Sequence, residues 1–192
     1  MRLLLGSDMP LSGSVTYDGA DLRNLDPILV RRQIGVVLQR SRLSPGSLFE
    51  NVMGSHSSTI DDAWEALRHA GLEADIRALP MGLHTRLSDA ATTFSGGQAQ
   101  RLLIARALAG RPRIIVFDEA TSALDAAVQA TVTESLARLA VTRIVIAHRL
   151  VTVKNADRIY VLDKGRAVQS GTFDELMAKR GLFADLVRRQ LL

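Results

Sequence analysis

The sequence Ile114-Ile115-Val116-Phe117-Asp118-Glu119 is a short apolar run that ends in two acids. A run of this length, rich in β-branched and aromatic residues, is typical of a buried strand in a parallel sheet. A carboxylate directly after such a strand lies where open α/β sheets bind their ligands. An Asp there commonly holds Mg²⁺ in nucleotide enzymes, and a neighbouring Glu can act as a general base. The plainer interpretation is that two acids simply end a strand.

Strand-like and helix-like segments alternate around this run, which predicts an α/β fold with a mostly parallel sheet and covering helices. The sequence between Pro45 and Arg106 is largely helical in character, and Thr59 is placed to cap one of its helices. The predicted strands are Ser14–Tyr17, Ile34–Leu38, Ile144–Ala147 and Ile159–Leu162. One predicted helix begins at Asp26-Pro27, and a second buries Ala63, Trp64, Leu67 and Ala70. Three more span about Asp125–Leu139, Thr172–Met177 and Leu182–Arg189.

These elements predict one domain over residues 1–192. Its core comprises residues 1–44 and 107–192, with a partial antiparallel β element at the N-terminus. A helical subdomain is inserted at about residues 45–106. Along the helix at 125–139, the apolar positions Val128, Val132, Leu136 and Leu139 share one face.

Composition narrows the function classes. The 47% hydrophobic and 23% charged residues are typical of a globular protein, and no apolar run approaches the length of a membrane helix. The 24 Lys and Arg and 20 Asp and Glu are interspersed along the chain, whereas a nucleic-acid interface would cluster the basic residues. The chain has no cysteine, which excludes disulfides and thiolate metal sites.

A second motif is Phe94-Ser95-Gly96-Gly97-Gln98, followed by the helical run Leu102–Leu108. Ser95 can cap that helix, and the two glycines allow bare backbone N–H groups to approach an anion at the positive helix end. Ser-Gly-Gly by itself is more often a turn than a ligand site. The acidic strand end twenty residues further along favours the phosphate-binding interpretation.

Polar residues follow two other predicted strands. Gln39 comes just after Ile34–Leu38, and His148 comes just after Ile144–Ala147, so both are expected at the sheet edge that carries Asp118. A lone His is usually structural and a lone Gln is usually a surface amide. At this edge, however, His148 can hydrogen-bond a γ-phosphate, and Gln39 can reach a metal ion and a water.

These motifs, in this order and spacing, resemble those of ABC transporter ATPases. Gln39 matches the Q-loop, Glu119 matches the catalytic glutamate, and His148 matches the switch histidine. Three longer stretches also match: Phe94–Gln98 matches the signature motif, Ile114–Asp118 the Walker B strand and Ser122–Asp125 the D-loop. The resemblance implies a P-loop NTPase-like fold with ATP and Mg²⁺ as cofactors. It implies catalytic Glu119 and His148, metal-binding Gln39 and Asp118, and ATP-binding Gln39, Ser95, Gly96, Gly97, Gln98, Asp118 and Asp125.

The resemblance also implies partners. These are a second ABC ATPase domain in a head-to-tail dimer and a transmembrane domain that places the chain at the cytoplasmic face of a membrane; no nucleic acid is expected. The stretches Ser12–Val15, Arg31–Gln39 and Gly46–Val52 resemble the exporter branch, and within it the bacterial exporters of peptides and bacteriocins. Phe94 stands where the family usually has Leu. Residues 88–93 lack the glycines and the acidic-Arg pattern that many exporters carry there.

The chain has no G-x-x-x-x-G-K-[ST] phosphate-binding loop, because Lys154, Lys164 and Lys179 follow Val, Asp and Ala. Arg2–Gly6 resembles the end of the helix that follows that loop, so we expect the loop, and the aromatic residue that stacks on adenine, upstream of Met1. In this family a central strand leads into the loop. We expect its neighbours to be Ile114–Phe117 and Ile144–Ala147, with a gap between them that promotes aggregation.

Two other function classes remain open from the sequence. One is a soluble ABC-type ATPase of DNA repair or translation, against which the exporter-like stretches argue. The other is a non-catalytic interaction domain that uses only its signature face. The missing phosphate-binding loop favours that second class, whereas the presence of Glu119 and His148 favours an ATPase.

Overall fold

The computed structural model describes residues 1–39, 41–54, 59–87, 94–118, 126–147 and 153–190. The chain separates into two compact units, Met1–Ile144 and Val145–Leu192. The strands are β1 Thr16–Tyr17, β2 Ala20–Asp21, β3 Ile34–Val37, β4 Gly46–Ser47, β5 Arg86–Leu87, β6 Ile114–Asp118, β7 Thr142–Ile146, β8 Ile159–Asp163 and β9 Arg166–Gly171. The helices are α1 Pro27–Arg32, α2 Leu48–Met53, α3 Ile60–His69, α4 Glu73–Arg77, α5 Gly96–Ala109, α6 Ala126–Ala137, α7 Phe173–Ala178 and α8 Leu182–Gln190.

The central sheet of the described residues has the strand order β3-β6-β7. β3 and β6 are parallel, with Ile34 opposite Ile114 and Val37 opposite Phe117. Both strands are mostly buried, as expected for strands of a parallel sheet that is covered on its faces. The predicted α/β fold with a parallel sheet and helices is confirmed.

The expectation of a gap between the strands at 114–117 and 144–147 is wrong. β6 has β3 on one side and β7 on the other, so both of its edges are hydrogen-bonded. The alignment begins where the N–H of Thr142, the first residue of β7, donates to the carbonyl of Arg113, just before β6, at 2.9 Å. Aggregation through facing edges of these two strands therefore loses its physical basis.

Three antiparallel pairs accompany this sheet: β1 with β2, β4 with β5, and β8 with β9. The first is the predicted N-terminal element. The sequence analysis missed β9, which is mostly exposed and lacks an apolar alternation. Its turn residues Lys164 and Gly165 both have positive φ, at 46° and 77°, as two-residue hairpins require. Lys-Gly is a weaker hairpin signal than Asn-Gly, so the sequence gives little warning of it.

Capping boxes begin several helices. The Thr59 hydroxyl accepts from the Asp62 N–H, and the Asp62 carboxylate accepts from the Thr59 N–H, as the sequence predicts for this helix start. The same reciprocal pair joins Ser47 to Glu50 at the start of α2. Each box satisfies backbone donors that a helix leaves unpaired at its first turn.

Two hydrophobic clusters lie in the first unit, and the larger one forms its main core. It joins the helices of residues 45–106 to β3 and β6, and α6 contributes the buried Val132 and Leu136 to it, as predicted. Because this core is continuous, a separate helical subdomain at 45–106 stays a prediction. Trp64, expected to be buried, is only half-buried; the Arg77 guanidinium lies 4.2 Å from its ring centroid, a favourable cation–π distance.

The second unit has its own small core. β8, α7 and α8 bury a cluster of apolar side chains, in which the rings of Phe173 and Phe183 meet edge to face with centroids 5.5 Å apart. The Gln169 side chain on β9 accepts from the Phe183 N–H at 2.9 Å, which ties this hairpin to the start of α8. Within the described ranges of both units, no helix is long and apolar enough to span a membrane.

Candidate functional site

Gln39 and Asp118 lie at the same edge of the central sheet. Val37 is opposite Phe117 in the parallel pair, so the chain reaches Asp118 one residue later and Gln39 two residues after Val37. Asp118 is partly buried and Gln39 is exposed. The structure thus brings an amide and a carboxylate to the carboxyl ends of neighbouring parallel strands, where α/β proteins bind ligands.

A closed turn carries Gln39 away from β3. The Ser41 hydroxyl accepts from the Leu38 N–H at 3.1 Å, and the Ser41 N–H donates to the Leu38 carbonyl at 3.0 Å. Local side-chain hydrogen bonds of this kind fix a backbone turn without any contact to distant residues. The direction in which the chain leaves the sheet is therefore set by Leu38 and Ser41, on either side of Gln39.

The second predicted group of ligands forms the first turn of α5. The Ser95 hydroxyl accepts from the Gln98 N–H at 3.2 Å, and the Gln98 side-chain oxygen accepts from the Ser95 N–H at 3.0 Å. The predicted cap at Ser95 is therefore present, and it is a complete capping box. Both side chains of this box therefore accept hydrogen bonds from backbone N–H groups at the start of the helix.

The glycines of this turn leave the helix end open. Gly96 and Gly97 are the first two residues of α5, so their N–H groups have no acceptor within the helix. A side chain added at Gly96 would meet open space. These N–H groups and the helix dipole suit a phosphate oxygen that approaches along the axis.

Three predicted site residues, Glu119, Asp125 and His148, lie outside the described residues. Their roles as general base, D-loop carboxylate and switch histidine stay predictions. Sequence reasoning missed Arg106 and Asn51, whose side chains hydrogen-bond each other and also bond the backbone of Arg42 and Ser44, just after Gln39. A buried Asn in an apolar helix, at Asn51, was the available signal.

The donor set at the sheet edge suits one kind of metal ion. Across the described residues there is no group of three His, Cys, Asp or Glu side chains that could hold a metal. Mg²⁺ does not need one, because it keeps several waters and binds through one or two protein oxygens plus substrate phosphates. The amide of Gln39 and the carboxylate of Asp118 therefore fit Mg²⁺ bound together with a nucleotide.

Comparison with known proteins decides the family. The model of the family described as "ABC transporter" matches residues 1–122, which is well over half of the chain. The chain belongs to the ABC transporter family. Its members hydrolyse ATP in a reaction coupled to transport, so the resemblance drawn from Gln39, Asp118 and the Ser95–Gln98 turn is confirmed at the level of the family.

Two relatives illustrate the similarity. The chain is 44% identical over 193 residues to the α-hemolysin translocation ATP-binding protein HlyB of Escherichia coli O157:H7, covering 98% of the chain and 27% of that protein. It is also 44% identical over 187 residues to the mitochondrial potassium channel ATP-binding subunit of Pongo abelii, covering 95% of the chain and 26% of that protein. The chain thus spans about a quarter of the length of these relatives.

A solved structure supports the same grouping. The structure of a bacterial Atm1-family ABC exporter with ATP bound superposes with a TM-score of 0.94 at 33% identity, covering all of this chain and 34% of that one. The fold of the chain is therefore that of an ABC ATPase domain. Exporters recur among its relatives, in line with the exporter-like stretches of the sequence.

Proposed function

We propose that this chain is the ATP-binding and ATP-hydrolysing domain of an ABC exporter. The observation that carries the proposal is the parallel register of β3 and β6, which delivers Gln39 and Asp118 to one sheet edge. The glycine-rich, capped start of α5 adds a phosphate-binding helix end. Membership of the ABC transporter family supplies the reaction that such groups serve.

The residues divide the chemistry between them. Asp118 and Gln39 would hold Mg²⁺, which when bound neutralises charge on the phosphates. Glu119 orients and deprotonates the attacking water as general base, and His148 hydrogen-bonds the γ-phosphate. Asp118 is the last residue of β6, so the strand's own hydrogen bonds with β3 fix where its carboxylate begins.

The start of α5 acts toward a partner. In a head-to-tail dimer, the N–H groups of Gly96 and Gly97 would face the γ-phosphate of ATP that is bound mainly by the second domain. The open space around Gly96 leaves room for that approach. A transmembrane domain, as partner or as part of the same protein, would place the chain at the cytoplasmic face of a membrane.

The phosphate-binding loop is the component that this sequence does not supply. Its 192 residues contain no Gly-Lys pair. Hydrolysis therefore requires a backbone cradle and a lysine from outside these residues. The proposal applies to the complete protein in which this domain works.

The names of the relatives do not favour a single transported substrate. The relative HlyB is named for α-hemolysin translocation, whereas an equally identical relative is named for a mitochondrial potassium channel. Export of peptides or bacteriocins stays the sequence-based proposal for the substrate class. If the protein is instead a soluble ABC ATPase, it will not copurify with membranes.

The proposal is tested by Mg-ATP hydrolysis in the purified complete protein. Asp118→Asn should lower turnover by on the order of a hundredfold, because it removes a charged oxygen from the metal and phosphate site. Asp163→Asn is the matched control, since Asp163 ends strand β8 and is exposed. Near-parent turnover in Asp118→Asn would overturn the assignment. Absence of turnover in the parent would favour the non-catalytic interaction domain.

A further inference from the structure

Arg106, in the last turn of α5, holds the segment that follows Gln39. Its Nε donates to the backbone carbonyl of Asn51 at 2.6 Å, and one Nη donates to the Asn51 side-chain oxygen at 2.6 Å. The other Nη donates to the carbonyl of Arg42 at 3.1 Å. One side chain therefore ties α5 to both the start of the segment at Arg42 and the helix α2 that ends it.

Asn51 completes the attachment from the other side. Its amide NH₂ donates to the carbonyls of Ser44 and Ser47 at 2.8 and 3.0 Å, and its oxygen accepts from the Ser44 N–H at 2.8 Å. Asn51 is only 3% exposed. Together, Arg106 and Asn51 bond the carbonyls of Arg42, Ser44 and Ser47 and the Ser44 N–H. We call this pair of side chains the Arg106–Asn51 clamp.

The clamp is a costly way to pack two helices. The Arg106 bonds go to neutral oxygens, and burial lowers the pKa of the guanidinium. Apolar side chains such as Leu102 and Ile104 already pack α5 into the core, and a further one at position 106 would avoid the desolvation. The clamp instead gives a directional attachment, because removing either partner leaves buried polar groups unpaired.

Its position links the two halves of the proposed site. Gln39 lies three residues before Arg42, and the Ser95–Gln98 turn lies at the opposite end of α5 from Arg106. A helix of this length is a rigid rod of about 20 Å. A shift of residues 42–47 is therefore transmitted by Arg106 to α5, and through α5 to the Gly96 and Gly97 N–H groups.

We infer that Arg106 is a positioning residue that couples residues 42–47, the segment that follows Gln39, to the Ser95–Gln98 turn at the start of α5. The inference rests on the proposed function for its catalytic consequence, because it assigns Arg106 a role in that same site. Arg106 acts on the nucleotide through the segment it holds. Asn51 is its partner in this coupling.

Amide hydrogen exchange tests the attachment without nucleotide. In the complete protein, Arg106→Gln should speed exchange of the Ser44 amide, whose N–H donates to Asn51, by about tenfold or more, because the clamp that holds it opens. Arg106→Lys, which keeps the charge and stem, guards against misfolding and should show a smaller change of the same kind. Arg101→Gln is the matched control: Arg101 lies on the same helix but bonds the Gly71 carbonyl and Asp75. Equal exchange changes in the Arg106 and Arg101 variants would overturn the inference.

A double-mutant cycle tests the coupling. In the complete protein, Arg106→Gln should lower Mg-ATP turnover about tenfold, but by less than about twofold when Gln39→Ala is already present. Arg101→Gln should lower turnover by the same factor in both backgrounds. An equal effect of Arg106→Gln in both backgrounds would make Arg106 merely structural. If the parent does not hydrolyse ATP, the proposed function fails and the exchange result alone decides the inference.

Discussion

Gly35 of β3 lies directly against the carbonyl oxygen of Ala107 in α5. A Cβ built on Gly35 collides with that oxygen and stands 3.1 Å from Cγ of Pro112. The backbone of β3, the strand that leads to Gln39, and the backbone of α5 are therefore in contact, with no side chain between them. This close approach fixes α5 to the sheet, and the Arg106–Asn51 clamp fixes the last turn of the same helix to Arg42 and α2.

Gly35→Ala should destabilise the chain by about 2 to 3 kcal/mol, because the added methyl group meets rigid backbone and forces α5 away from β3. The measurement is urea-induced unfolding followed by circular dichroism. Gly96→Ala is the control for the substitution itself, since a Cβ at Gly96 meets nothing within 4 Å. A Gly35→Ala variant as stable as Gly96→Ala would show that the two backbones are not in contact.

The capping boxes make the free energy of unfolding depend on pH in the acid range. The Ser47 N–H, followed by the Ser47 hydroxyl, donates to Glu50 and lowers the pKa of its carboxyl group. The Thr59 N–H does the same to the pKa of Asp62. A carboxyl with a lowered folded-state pKa contributes stability above its unfolded pKa, about 4.3 for Glu, and loses it as pH falls through the folded-state pKa.

Glu50→Gln should therefore lower the urea midpoint at pH 7 and have progressively less effect as the pH falls below about 4. At low pH the parent carboxyl is protonated as well, so parent and variant become alike. Asp62→Asn should follow the same course. A difference between parent and Glu50→Gln that is constant across this pH range would contradict the cap as the cause.

The 192-residue chain on its own should bind Mg-ATP weakly, because its sequence contains no Gly-Lys phosphate-binding loop. Charge-assisted hydrogen bonds contribute roughly 1.5 to 3 kcal/mol each. Three missing phosphate contacts then cost about 5 to 9 kcal/mol, or on the order of 10³ to 10⁶ in affinity. Isothermal titration calorimetry measures it directly. Micromolar binding would contradict the expectation and show that other residues hold the phosphates.

Local signals predicted much of the architecture. The apolar run at 114–118 and the start of helix α3 at Thr59 emerged where β-branching and cap chemistry place them. The Ser95 cap could likewise be predicted, because Ser is among the favoured residues at the N-cap of a helix. These features depend on residues within one turn or one strand of each other.

Long-range relationships were not predictable in the same way. The pairing of β6 with β7 was missed because strand order depends on which helices cover the sheet, and no local residue records it. The contact between Gly35 and Ala107, and the clamp between Asn51 and Arg106, join residues more than fifty positions apart. A glycine in a strand and a buried asparagine signal a close approach without naming the partner.

The two faces of the proposed ATP site should fail differently when altered. A bulky residue at Gly97 should prevent the signature turn from closing on the partner's ATP, so the complete protein should neither dimerise with Mg-ATP nor hydrolyse it. Glu119→Gln should leave closure intact, because only the general base is removed. A Gly97 variant that forms the ATP-bound dimer as the parent does would contradict the role of this turn.

The most direct test of the ATPase account combines turnover and assembly in the Glu119→Gln variant of the complete protein. Phosphate release and molecular mass are measured in the presence of Mg-ATP, with Asp163→Asn as the control acid at a strand end. The account predicts no measurable turnover together with a trapped, ATP-bound dimer. Hydrolysis by Glu119→Gln at near the parent rate would contradict it.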